Sequence, residues 1–188
     1  MTPGIGHNQE PPLGGSWSGY CWRRARREIW DNPPVEVIRR RKRRAEEIGL
    51  TYRQYAGILL DKGVRTEALV FDLSGLPAPV PAAPMARMTT KLRALRNCQV
   101  FAAIGETRKP LDEINAHAGG VITDWAPYPP ELPRVPALND VLQPVLDMLR
   151  RHTVAPSAAI MIGNGWRAGR IAETARLARV FPAAAYFG

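Results

Sequence analysis

From Ala68 to the end of the chain, short apolar runs alternate with longer amphipathic stretches, and this alternation constrains the fold more than any other feature of the sequence. Five runs are compact enough to be strands buried on both faces: Ala68 to Asp72, Gln99 to Ile104, Gly120 to Thr123, Ala158 to Ile162 and Ala183 to Tyr186. Between them, apolar residues at helical spacing predict helices over Pro84 to Arg96, Pro110 to Ala118, Ala137 to Arg151 and Arg167 to Val180. Trp125 to Pro136 is expected to be a loop, because its prolines remove backbone donors that a helix interior or a central strand needs. The pattern predicts an α/β domain over residues 66 to 188, Rossmann-like and doubly wound around a mainly parallel five-stranded sheet. In such sheets ligands bind beyond the carboxyl ends of the strands at the topological switch point, and Asp72 and Asn164 both fall at strand ends of that kind.

The N-terminal third reads differently. Residues 1 to 19 are rich in Gly, Pro, Asn and Ser without apolar periodicity, and are expected to form a mobile tail. Residues 20 to 65 are expected to form a basic helical extension, shaped like a helix-turn-helix hairpin. An arginine-dense segment from Trp22 to Trp30 leads to the Asn32-Pro33-Pro34 break. A helix follows from Val35 to Ile48, then a second from Tyr52 to Lys62, with Thr51 as N-cap and Gly63 as stop. The run Arg39, Arg40, Arg41, Lys42, Arg43 and Arg44 makes an anionic macromolecule, protein or nucleic acid, the expected partner of this region. The formal charge of +9 points the same way. A solvated helix face, locally paired with Glu46 and Glu47, is the plain structural alternative for the same run.

Two cysteines, Cys21 and Cys98, are too few for a disulfide framework and lack metal-ligand spacing, which predicts a reduced, cytoplasmic protein. The first residues have neither a basic nor an apolar leader segment, and no apolar run reaches the length of a membrane span, so export and membrane insertion are not expected.

Leu69-Val70-Phe71-Asp72-Leu73-Ser74-Gly75 resembles the first motif of the haloacid dehalogenase superfamily, an apolar strand followed by Asp-x-Asp-Gly, and the likeness is to its capless, histidinol-phosphatase-like branch. The resemblance implies that Asp72 stands at the nucleophile position and Ser74 at that of the general acid and base. A hydroxyl there can donate a hydrogen bond but cannot exchange a proton near neutral pH. The second motif position, a hydroxyl at the end of the next strand, falls on Ile104 or Gly105, with Thr107 close by and Glu106 between them. The third, a lysine, falls at Arg134-Val135-Pro136, where Arg134 is the nearest cation. Gly105, Thr107 and Arg134 are thus the phosphate-binding candidates. The fourth, Gly-Asp-x-x-x-Asp, is matched by Gly163-Asn164 and then by Ala168 or Gly169, so that Asp72 and Asn164 would be what remains of a magnesium site. With one carboxylate where the chemistry uses several groups, the resemblance implies weak or absent magnesium binding. It implies a catalytically degenerate domain that binds or scaffolds. Two alternatives stand beside it: a magnesium-dependent phosphomonoesterase with Asp72 as nucleophile, and a nucleic-acid binder acting through the hairpin of residues 35 to 62.

Overall fold

In the computed structural model the described residues are 21, 33–74, 76–77, 79–105, 107–127 and 138–188. The expected tail over residues 1 to 19, the Trp22 to Trp30 segment, Gly75, Glu106 and residues 128–137, with Arg134 among them, lie outside these. The chain divides into two compact units, residues 1–40 and 41–188. Helix α1 (Val35–Glu47) runs across that division, and everything after it belongs to the second unit.

The second unit holds a five-stranded, all-parallel sheet in the order β3-β2-β1-β4-β5. In chain order its elements are α2 (Tyr52–Lys62), β1 (Ala68–Asp72), α3 (Ala82–Ala94), β2 (Gln99–Ile104), α4 (Lys109–Ala118), β3 (Asp124–Pro127), α5 (Leu138–Arg151), β4 (Ala159–Ile162), α6 (Gly165–Thr174), β5 (Arg179–Phe181) and α7 (Ala183–Phe187). The alternation of side chains along each strand separates two cores. Leu69 and Phe71 of β1, with Val100, Ala102 and Ile104 of β2, face one layer with Met88 and Leu92 of α3 and Leu111 and Ile114 of α4. Ala68 and Val70, with Phe101 and Ala103, face the opposite layer, where Val145 and Met148 of α5 and Ile171 of α6 cover them. Helices α3, α4 and the terminal α7 pack on one face, and α5 and α6 on the other. The reversal lies between β1 and β4, neighbours in register with Phe71 opposite Ile162.

Ala45, Ile48, Leu50, Tyr55 and Ile58 belong to the same core as Leu69 and Phe71, so the C-terminal part of α1 and all of α2 are built into the sheet-bearing unit. Local signals fix α2. Thr51 and Gln54 form a reciprocal capping box at its start, and Gly63 closes it in the left-handed conformation at φ 67°.

Helix ends shift by one or two residues, as where Pro84 to Arg96 becomes Ala82–Ala94, and larger differences from the sequence expectation fall in the second half of the chain. The third strand is Asp124–Pro127, not Gly120 to Thr123. Gly119 and Gly120 both have positive φ, and the Asn115 side chain takes both the N–H and the carbonyl of Ile122, so the ladder starts later. The strand therefore occupies the start of the expected loop; it is an edge strand, where Pro127 is tolerated. The fourth strand begins at Ala159, after a 3-10 turn at Pro156–Ala158. Helix α6 stops at Thr174, because Arg176 turns left-handed at φ 56° and Leu177 N–H bonds back to the Ala172 carbonyl. The fifth strand is consequently Arg179–Phe181, and the strand expected over Ala183 to Tyr186 is instead part of a helix, Ala183–Phe187, that starts behind Pro182.

Candidate functional site

The ends of β1 and β4 deliver Asp72 and Asn164 into one cleft of about 560 Å³, lined also by Phe71, Ser74, Met88, Arg87 and Phe187. Gly163 is what lets the two strands meet so closely. A Cβ there would lie 2.6 Å from Asp72 Cβ, 2.9 Å from Ala168 Cβ and 3.2 Å from Asp72 Oδ2. Only a residue without a side chain fits between the carboxylate and helix α6.

Asp72 is half-buried, and its Oδ1 accepts from both the backbone N–H and the hydroxyl of Ser74, at 3.0 and 2.6 Å. Ser74 therefore tightens the turn and holds the carboxylate rather than facing a leaving group. Oδ2 is the oxygen left for a ligand, and no cation pairs with Asp72 among the described residues. Asn164 also has a structural partner: its Oδ1 accepts from Ala183 N–H at 3.0 Å, which ties the first turn of α7 to the end of β4. A backbone N–H needs an acceptor, so this bond fixes which way the amide points and leaves its NH₂ free to donate.

The other sequence candidates lie elsewhere. Gly105 follows β2 and packs against the Ser74 carbonyl, 3.2 Å from where a Cβ would sit, and Thr107 accepts from Lys109 N–H at 3.2 Å at the start of α4. Neither lines the cleft. Of the basic run, Arg39, Arg40, Lys42 and Arg43 are exposed and Arg41 is half-buried. Arg44 is buried at 5% exposure. It donates to Glu47 at 2.7 Å and to the Thr66 carbonyl at 2.7 Å, so it works inside the protein, joining α1 to the chain just before β1. Its guanidinium holds the Glu47 carboxyl below the ordinary range.

Sequence reading did not find Arg87 or Phe187. Arg87 sits on the exposed side of α3 and reaches the cleft only because α3 packs beside β1, while Phe187 arrives on the helix that replaces the expected strand. Phe187 stacks on Phe71 at 5.7 Å between ring centroids, and Phe71 meets Tyr186 edge-on at the same separation. Tyr186, buried, donates to the Ile48 carbonyl at 2.9 Å, and Lys91 bonds to its carbonyl and lies over its ring. Helix α7 is anchored in the core and contributes the aromatic wall of the cleft.

The residues present do not fit a magnesium ion. Such a cation takes near-octahedral oxygen coordination, usually through more than one anionic group. Among the described lining residues Asp72 is the one carboxylate side chain, the Asn164 oxygen is engaged, and Ala168, which with Gly169 is a candidate for the last aspartate of the resembled motif, is a buried methyl against Gly163. Among the described residues no group of three or more His, Cys, Asp or Glu side chains is placed to hold a metal, and no helix is long and apolar enough to cross a membrane. No protein-family profile matches this chain, and neither a curated protein nor a solved structure was found that resembles it.

Proposed function

We propose that this chain is a catalytically degenerate, haloacid dehalogenase-like domain that acts as a binding or scaffold protein, with the exposed cations of α1 contacting an anionic partner. The observation that carries the reading is the state of the two convergent residues. Asp72 sits where a nucleophile would, yet one of its oxygens is held twice by Ser74, and the Asn164 oxygen is spent on α7. Phosphoryl transfer depends on several positioned charges acting together, and one carboxylate and one exposed arginine among the described lining side chains do not assemble them. The strand order and the position of the cleft at the switch point support the kinship; the donor inventory supports the loss of chemistry.

The test is turnover of p-nitrophenyl phosphate by the purified chain with millimolar magnesium, beside Asp72→Asn. Any hydrolysis is expected to be the same in both proteins. Hydrolysis that disappears in the variant refutes the reading in favour of a phosphomonoesterase. For the partner, Arg39, Arg40, Lys42 and Arg43 predict binding to a polyanion such as heparin that weakens steeply with salt; a flat salt response removes that part of the proposal.

A further inference from the structure

Among the described side chains that line it, the cleft at the ends of β1 and β4 has mostly apolar walls, one carboxylate, one guanidinium and one free amide donor. We infer that it binds a small zwitterion with an apolar body, of the α-amino-acid type, with the ammonium on Asp72 and the carboxylate on Asn164 and Arg87. The inference rests on the non-catalytic reading of the cleft given above.

Each polar atom has a defined vacancy. Asp72 Oδ1 is filled by Ser74, so Oδ2 offers its lone pairs to a donor on the ligand. The Asn164 carbonyl is bound to Ala183 N–H, so what it shows the cleft is its NH₂, which can only donate. Arg87, exposed, forms no ion pair among the described residues and is also a donor only. A ligand that satisfies all three carries a cationic donor and an anionic acceptor. Gly163 brings the end of β4 against Asp72 and Asn164 follows it in the lining of the same cleft, so a compact ligand carrying both functions fits the arrangement.

The rest of the cleft selects the body. Phe71, Leu73, Leu76, Met88 and Phe187 give aromatic and aliphatic walls, and a volume of about 560 Å³ suits a molecule the size of phenylalanine with its ordered water. A phosphomonoester is the wrong complement. Its dianion would meet the uncovered Asp72 oxygen, with one exposed arginine to offset the repulsion. A simple amine leaves Asn164 and Arg87 unanswered, and a simple acid leaves Asp72 so.

Four probes with the same ring separate these cases by calorimetric titration of the full chain in EDTA: L-phenylalanine, phenethylamine, 3-phenylpropionate and phenyl phosphate. Phenylalanine is expected to bind about tenfold or more tighter than each of the others, since each charged hydrogen bond lost to a fragment is worth about that factor. Asp72→Asn keeps an acceptor for Ser74 and should reduce phenylalanine to the level of 3-phenylpropionate. Arg87→Gln, on the exposed side of α3, should weaken it several-fold while Asn164 keeps it above phenethylamine. Phenyl phosphate binding tightest, no binding of phenylalanine at millimolar concentration by a folded protein, or affinity unchanged in Asp72→Asn would each overturn the proposal. No turnover is measured, so its failure leaves the non-catalytic reading standing, and Asp72-dependent phosphatase activity would sink that reading without these titrations.

Discussion

Replacing Gly163 with alanine should destabilise the protein through one identifiable collision. The added methyl would lie 2.6 Å from Asp72 Cβ and 2.9 Å from Ala168 Cβ, the first about 0.8 Å short of ordinary van der Waals contact at 3.4 Å. Both opposing atoms are Cβ atoms fixed to backbone, so neither can swing away as the end of a long side chain would. Relief requires β4 to move from β1 or α6 to lift off β4, and Gly163 N–H is also bonded to the Phe181 carbonyl, which resists either shift. Overpacking of this kind costs about 1–3 kcal/mol, and two rigid contacts place the expected value near the upper end. Urea unfolding followed by far-UV circular dichroism measures it. Ala168→Gly in the same chain removes the second collision and should recover part of the loss, whereas Asp72→Gly removes the first and should couple to Gly163→Ala by about 1 kcal/mol or more in a double-mutant cycle. A Gly163→Ala protein within about 0.5 kcal/mol of the parent, or a cycle without coupling, would show that the two strands do not meet at Asp72 as described.

Two further perturbations probe how the cleft is built. Tyr186→Phe removes the donor to the Ile48 carbonyl in a buried place and should cost about 1–2 kcal/mol by denaturant titration, with loosened α7 seen as faster amide exchange over residues 183 to 187. Burial pushes the Tyr186 hydroxyl pKa well above its ordinary value, so the bond and its contribution should persist at alkaline pH; loss of stability near pH 10 would contradict this. Asp124 is partly buried, which opposes its ionisation, but Arg151 at 2.7 Å, Trp125 N–H and His152 outweigh that cost and hold its carboxyl below the usual value of 3.8. A depressed carboxylate stabilises the fold above its unfolded pKa and loses that contribution as pH falls through the folded one. Asp124→Asn should therefore cost about 1–2 kcal/mol at neutral pH and flatten the decline in stability below about pH 4; parallel curves for the two proteins in that window would refute the role.

What the sequence reveals here follows from how local each cause is. The runs Ala68 to Asp72 and Gln99 to Ile104 are apolar at every position but one because both faces of the central strands are covered, and the structure has these strands at the expected bounds. Helix α2 is equally legible, since Thr51, Gln54 and Gly63 write its start and stop into neighbouring residues. The errors gather at the sheet edges. The stop of α6 is made by Arg176 in a conformation that glycine ordinarily marks, and Asn115 delays β3 by a side-chain bond across seven residues. Neither leaves a compositional trace. The same distinction divides the site. The convergence of residues 72 and 164 follows from an ordered parallel sheet, and motif position alone could reach it. That Ser74 would turn inward to hold Asp72, that Asn164 would spend its carbonyl on α7, and that Arg87 and Phe187 would complete the cleft are facts of tertiary packing. Those of Asn164 and Phe187 depend on a helix, α7, whose alanines and aromatics read equally well as a strand. The part of the cleft that sequence could not supply is therefore the part that decides its chemistry, because it determines which donors and acceptors remain unfilled once the fold has taken its share.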